Sequence, residues 1–126
     1  MRKIIKKQCL EAIEILSEAH SQIKNFIDKN EPFSAINLLG QCQETAIVIG
    51  STIEKYEGAE SGQIKLLEDY CEFLWNLSES LTEGRLSNLS RSASRLDYLL
   101  SQLSSDIEKK IPDSKEIVFL PYKASM

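Results

Sequence analysis

Proline and glycine are scarce in this chain, with three prolines and five glycines among 126 residues. Because these residues punctuate helices and strands, their scarcity favours long uninterrupted elements. The chain also lacks any apolar stretch approaching the roughly 20 residues of a membrane span. With 42% hydrophobic and 27% charged residues, the composition is typical of one globular domain and not of a disordered chain.

Cysteine is also sparse and unpatterned. Cys9, Cys42 and Cys71 make an odd number, with no close pair and no CxxC motif. No secretory signal is visible, because the first residues are interrupted by charge. We therefore expect reduced thiols in a cytoplasmic protein. Cys9 and Cys42 fall on apolar stripes and Cys71 falls beside one, which favours their role as small buried side chains.

The charge balance argues against a dedicated nucleic-acid binder. The net charge is −4, whereas phosphate neutralisation needs a clustered basic surface. The acidic residues concentrate in residues 31–84, which hold two basic and ten acidic side chains. This segment is interpreted either as a set of solvated helix faces or as an acidic surface that docks a basic partner.

Hydrophobic residues recur in four segments with steps of three and four residues, the spacing of one helix face. The first stripe contains Ile5, Cys9, Ala12, Leu16, Ala19, Ile23 and Phe26, and is widened by Ile13 and Ile27. The second contains Ala35, Leu39, Cys42, Ala46, Ile49, Ile53 and Tyr56. The third contains Leu67, Tyr70, Leu74, Leu77 and Leu81, flanked by Ile64, Cys71 and Phe73. The fourth contains Leu86, Leu89, Ala93, Leu96, Leu100, Leu103 and Ile107.

Residues that start or stop helices separate the stripes. The first helix is predicted to end near Asn30, and Pro32 suits the first turn of the second helix. The other boundaries are marked by Gly58, Ser61, Gly84 and Pro112. Connections of about three to four residues leave no room for a crossover. We therefore predict an all-α, antiparallel up-down-up-down four-helix bundle over residues 1–111, with two looser hairpins or completion by a second chain as alternatives.

Gly40 and Gly50 lie inside the second predicted helix. Each costs up to about 1 kcal/mol relative to Ala in that position. We expect both to permit close packing against a neighbouring helix.

Residues 112–126 differ from the helical part. Ile117–Leu120 form a short β-branched and aromatic run, which is typical of a buried strand. A lone strand has no ladder partner in a helical bundle. We therefore expect a linker and a short extended C-terminal tail, the first strand of a downstream domain in a larger protein.

The tail sequence EIVFLPYKASM at 116–126 resembles the entry to the main domain of bacterial CDP-glycerol glycerophosphotransferase-like proteins. The stretches LGQCQETAI at 39–47 and LLEDYCE at 66–72 are similar to the helical region that precedes it. The resemblance implies transfer of glycerophosphate from CDP-glycerol to a teichoic-acid-type polymer at the inner face of the membrane. It places catalysis in the downstream domain and implies an N-terminal accessory or interaction role for this chain.

No pattern of catalytic or metal-ligating residues is found. Ser17 stands three residues before His20, so the Glu-x-x-His motif of di-iron bundles is absent, and the cysteines lack zinc-ligand spacing. A histidine phosphotransfer domain places Lys three residues after its His and then Gly, whereas Ile23 and Lys24 follow here. We predict no catalytic, cofactor-binding or metal-binding residue and interpret His20 as a structural histidine at the solvent edge.

Three functional hypotheses follow. The first is a non-catalytic accessory domain whose partner is a downstream glycerophosphotransferase-like domain. The second is a helical oligomerisation or protein-binding module, including a homodimer, and the least favoured is a histidine phosphotransfer domain. The basic start around Ile4, formed by Arg2, Lys3, Lys6 and Lys7, is either solvated charge or a contact to an anionic membrane surface.

Overall fold

The computed structural model describes residues 1–84 and 89–112, which form four α-helices and no β-strand. The helices are α1 (Lys3–Asp28), α2 (Pro32–Glu57), α3 (Gly62–Thr82) and α4 (Leu89–Lys110). At 1.5 Å per residue they are about 30–40 Å long. The all-α prediction is confirmed. The predicted linker and strand from residue 113 onward, and Leu86 of the fourth stripe, lie outside the described residues.

The helix ends follow from local chemistry. Asn30 has a φ of 59° just beyond α1, and Pro32 opens α2 as predicted. Gly58 ends α2 with a φ of 91°, a conformation that L side chains adopt rarely. The Ser61 hydroxyl caps α3 by accepting a hydrogen bond from the backbone N–H of Ile64 at 3.4 Å.

Each helix packs against two others, because α1 and α3 both contact α2 and α4. The buried side chains of all four helices form one continuous core. Its most deeply buried large members include Leu16, Ile23, Leu39, Ile53, Tyr70, Leu74, Leu96, Leu103 and Ile107.

The predicted stripes of α2 and α3, and that of α4 from Ala93 onward, face this core, except that Tyr56 is 36% exposed. The stripe of α1 is rotated from the prediction: Ile13 and His20 are buried, while Ala12 and Ala19 are only half-buried. Isoleucine removes more apolar surface from water than alanine does, so this rotation gains burial. Both versions of the stripe share Cys9, Leu16 and Ile23.

The two glycines of α2 differ in their surroundings. A Cβ atom added at Gly50 would meet Leu67 Cδ1 of α3 at 3.7 Å, an ordinary contact. A Cβ added at Gly40 would meet nothing within 4 Å, and Gly40 is exposed. The prediction that Gly40 packs against a neighbouring helix of this chain is therefore wrong, because it lies on the outer side of α2.

The start of the chain contacts two helix ends. The Lys6 ammonium donates a hydrogen bond to the carbonyl of Ile111 at 2.7 Å. The terminal ammonium of Met1 donates to the carbonyl of Pro112 at 3.2 Å and lies 4.0 Å from the Glu57 carboxylate. The first turn of α1 therefore lies beside the last turns of α2 and α4.

Several large apolar side chains remain on the surface. Trp75, the only tryptophan, is 57% exposed on α3. The others are Ile4, Ile15, Phe33, Ile47, Val48, Tyr56 and Tyr98. None of the helices in residues 1–84 and 89–112 is both long and apolar enough to span a bilayer.

Two isoleucines on α1 allow a matched test of this core. Ile23 is 1% exposed and Ile15 is 61% exposed. We expect Ile23→Ala to lower the free energy of unfolding by about 2–5 kcal/mol, because it leaves a cavity in the core. We expect Ile15→Ala to change it by less than about 0.5 kcal/mol. Urea unfolding followed by far-ultraviolet circular dichroism measures both, and equal effects would contradict the described packing.

Candidate functional site

His20 is the only histidine of the chain and lies in the core at 1% exposure. Its Nδ1 atom is 2.8 Å from Oδ1 of Asp97 on α4, and its Nε2 atom is 2.6 Å from the hydroxyl of Tyr70 on α3. The His20 and Tyr70 ring centroids are 5.6 Å apart at an interplanar angle of 33°. The interpretation of His20 as a solvent-edge residue is wrong, because the rotation of α1 turns it inward.

The contacts continue beyond this trio in both directions. On one side, Oδ2 of Asp97 accepts a hydrogen bond from the Lys24 ammonium at 2.7 Å. On the other side, the Cys42 thiol of α2 lies near enough to the Tyr70 hydroxyl for each to shift the pKa of the other. These five residues, here called the polar chain, join all four helices: Cys42 is on α2, Tyr70 on α3, Asp97 on α4, and His20 and Lys24 on α1.

The donors and acceptors of the polar chain can be assigned in order. An ionised Asp97 carboxylate only accepts, so Nδ1 of His20 carries the proton that it receives. In a neutral imidazole Nε2 is then an acceptor, and the Tyr70 hydroxyl donates to it. Donation in the buried part therefore runs in one direction, from Tyr70 through His20 to Asp97.

Burial is the dominant electrostatic effect on these groups. It lowers the pKa of His20, and Lys24 lowers it further, which together outweigh the opposing effect of Asp97. Burial raises the pKa of Cys42 to about 11 and raises that of Tyr70 as well. Burial raises the pKa of Asp97, but hydrogen bonds from Lys24 and His20 outweigh this effect and bring the pKa below its usual value. At pH 7 the imidazole is neutral, the carboxylate ionised, and the thiol and phenol protonated.

In a nucleophilic triad a carboxylate orients the histidine, as Asp97 does for His20 here. The serine or cysteine nucleophile of such a triad is missing from this site. In such a triad the far imidazole nitrogen meets a serine or cysteine nucleophile. Here that nitrogen meets Tyr70, whose raised pKa disfavours the reactive phenolate. The Cys42 thiol lies behind Tyr70 and is 2% exposed, and its raised pKa keeps it in the less nucleophilic protonated form.

Phosphoryl transfer to histidine requires a ring nitrogen that a donor can reach. Both ring nitrogens of His20 are engaged, and the side chain is buried. The geometry therefore disfavours the histidine phosphotransfer interpretation.

Water reaches the polar chain at its Asp97 end. Asp97 is 39% exposed and Lys24 is 40% exposed, in contrast to the three buried members. Asp97 also lines a groove of about 420 Å³ between α1 and α4, together with Ser17, Ser101, Ser104 and Ser105. The polar chain thus has one solvated end and one buried end.

The cysteines are free thiols within the described part of the chain. Cys9 and Cys42 are buried and Cys71 is half-buried, as their stripe positions predict. Burial raises the pKa of the Cys9 and Cys71 thiols as well. Within residues 1–84 and 89–112, no cluster of three His, Cys, Asp or Glu side chains could hold a metal ion.

The sequence singles out His20 but does not identify its partners. The spacing places Tyr70 on the α3 stripe through its ring and says nothing of its hydroxyl. Asp97 follows Leu96 of the α4 stripe, a position that puts a carboxylate at the edge of the core. The feature of the sequence that indicates this group is a polar side chain on or beside the apolar stripe of three helices: His20, Tyr70 and Asp97.

No family model, curated protein or solved structure matches this chain. The resemblance to CDP-glycerol glycerophosphotransferase-like proteins therefore stays a prediction.

Removing the Tyr70 hydroxyl tests the contribution of the polar chain to stability. Tyr70→Phe leaves the Nε2 atom of His20 without its partner inside the core. We expect a loss of about 1–3 kcal/mol in the free energy of unfolding, the cost of unsatisfied buried polar groups. Tyr98→Phe is the matched control, since Tyr98 is 53% exposed, and should change it by less than about 0.5 kcal/mol. A neutral Tyr70→Phe in urea unfolding would contradict the assigned hydrogen bonds.

Proposed function

We propose that this chain is a non-catalytic helical self-association module, in which the outer side of α2 packs against the same side of a second copy. The observation that carries the proposal is Gly40, an exposed glycine inside a long helix, where an added Cβ would meet no atom within 4 Å among residues 1–84 and 89–112.

The outer side of α2 is unusual in its chemistry. Its exposed residues from position 33 to position 51 follow heptad spacing and are here called the α2 outer face: Phe33, Asn37, Gly40, Gln41, Glu44, Ile47, Val48 and Ser51. The charged Glu54 and Lys55 lie beyond it. Phe33 is 84% exposed, Val48 65% and Ile47 57%. Glu44 is the one charged residue among the eight. A surface helix normally carries charged and polar residues on its solvent side, so this face is suited to being covered.

Gly40 supports a helix as the covering element. A glycine inside a helix costs about 1 kcal/mol relative to alanine. No contact with the described residues accounts for that cost, because an added Cβ at Gly40 would meet none of them within 4 Å. A second backbone lying close to this point would make use of the missing side chain.

Charge favours a second copy as the occupant. A nearly uncharged face offers a basic or acidic partner only Glu44 to pair with. Two copies related by a two-fold axis present the same face to each other, and the single Glu44 of each need not meet its counterpart. An isologous contact between two α2 helices that cross near Gly40 therefore buries the apolar residues of this face. It also brings the second backbone close to the glycine.

The proposal takes each copy as an up-down-up-down bundle. The contacts of Lys6 with Ile111 and of Met1 with Glu57 support antiparallel pairing of α1 with α4 and of α1 with α2. The short connections after α1 and α2 support alternation along the chain. The proposal also places the chain in the cytoplasm, which only the free thiols support. It further places the chain ahead of a glycerophosphotransferase-like domain, which only the resemblance supports.

A charge on the α2 outer face is the direct test of self-association. We expect the wild-type chain to sediment as a concentration-dependent dimer, and Ile47→Glu to sediment as a monomer because it buries an unpaired carboxylate in the contact. Ile4→Glu is the matched control, since Ile4 is 55% exposed on α1, and should leave the dimer intact. Circular dichroism establishes that both variants fold. A wild-type chain that stays monomeric up to about millimolar concentration, where a contact is only marginal, would contradict the proposal.

Gly40→Ala should separate folding from association. Within one copy the added methyl meets open space, so the free energy of unfolding of the monomer should rise by up to about 1 kcal/mol. Between copies the same methyl lies in the contact, so the dimer dissociation constant should increase. Sedimentation equilibrium and urea unfolding of dilute protein measure the two effects. An unchanged dissociation constant would remove Gly40 from the interface.

A further inference from the structure

We propose that the polar chain is a proton-sensitive switch, in which uptake of one proton by His20 reverses its hydrogen bond with Tyr70 on α3 and strengthens its contact with Asp97 on α4. The switch does not depend on self-association, because all of its residues belong to one copy.

The neutral state has a donor for every acceptor. The Tyr70 hydroxyl donates to Nε2 of His20, and Nδ1–H donates to Asp97. Because an uncharged imidazole has one donor and one acceptor, this order is the one that satisfies both of its partners when Asp97 is ionised.

A proton added to Nε2 changes the order on the buried side. Both ring nitrogens of His20 are then donors, so the Tyr70 oxygen must accept from Nε2–H. The Tyr70 hydroxyl proton can then no longer donate to His20 and has to turn away from it inside the core. The hydrogen bond to Asp97 keeps its direction and becomes an ion pair. The switch therefore strengthens the α1–α4 contact and reverses the α1–α3 contact.

The groups around His20 oppose one another. Asp97 on α4 favours the charged imidazole, whereas Lys24 on its own helix and burial in the core disfavour it. Tyr70 on α3 faces Nε2 directly, and Cys42 on α2 faces Tyr70. Since the net effect is a pKa below the ordinary 6.5, the imidazole is neutral at pH 7 and charged in acid.

The direction of the pH effect on stability follows from linkage. The unfolded chain binds a proton at His20 near pH 6.5, whereas the folded chain binds it only at lower pH. Stability is thus fully present above pH 6.5 and decreases as the pH falls toward the folded pKa. Over that interval the ratio of folded to unfolded protein should drop by up to about tenfold per pH unit. Asp97, whose pKa is lowered from 3.8, contributes its own loss only at more acidic pH.

The single histidine makes the switch directly observable. In protein labelled with ¹⁵N-histidine, the imidazole signals belong to His20 without further assignment. We expect nitrogen shifts of a neutral Nδ1–H tautomer at pH 7 and a titration midpoint below 6.5. An Nε2–H tautomer at pH 7, or a midpoint at or above 6.5, would overturn the proposal.

Two half-exposed neighbours should move this midpoint in opposite directions. Lys24→Met removes the positive charge beside His20 and should raise the midpoint. Asp97→Asn removes the negative charge and should lower it. Lys65→Met is the matched control, since Lys65 is 72% exposed and paired with Asp69 on α3, and should leave it unchanged. Midpoints that shift in the same direction, or equally in the control, would overturn the electrostatic assignment.

The unfolding equilibrium provides the second readout. We expect the urea midpoint of the wild-type chain to fall between pH 6.5 and pH 5, and that of His20→Gln to stay level over the same range. A wild-type midpoint as level as that of His20→Gln would show that proton uptake does not weaken the fold, and would overturn the proposal.

Discussion

Mutual burial of four apolar stripes is the interaction on which the rest of this chain depends. A helix of 21–26 residues with one apolar side gains little stability alone, and most of what it has comes from packing that side against others. Here every stripe meets two neighbours around one core. As a consequence, any residue that lies in line with an apolar stripe is buried in the core, whether or not it is apolar itself. His20 lies in line with Leu16 and Ile23 once α1 has rotated, and so it is buried with them.

The polar chain restricts how the helices can rotate and slide against one another. Leucine and isoleucine stripes tolerate small rotations and slides, because their contacts are not directional. The hydrogen bonds of the polar chain between α1, α3 and α4 are directional, and buried polar atoms are costly when unpaired. A rotation of α1 that restored the Ala12 and Ala19 side to the core would withdraw His20 from Tyr70 and Asp97. The polar chain therefore favours one rotational setting of the helices over its near alternatives.

Much of the fold could be predicted from the sequence, because helix boundaries depend on local chemistry. Pro32, Ser61 and Gly58 act where they stand in the chain, and the stripes of α2 and α3 each have one clear arrangement. The rotation of α1 could not be predicted, because two apolar stripes are possible on this helix. Both contain Cys9, Leu16 and Ile23, and at the other positions they differ by one residue along the chain. The partners of His20 lie on other helices, 50 and 77 positions away, and spacing within one helix says nothing about them. The outward position of Gly40 likewise depends on which side of α2 is covered.

The position of Trp75 has a practical consequence for work on this protein. As the only tryptophan, it supplies most of the intrinsic fluorescence, yet more than half of its surface is in water. Its emission in the folded chain will therefore resemble that of a solvated indole and will change little when the core opens. For the same reason it is a sensitive reporter of any molecule that covers the outer side of α3, where it lies in a groove with Ser78, Glu79 and Thr82.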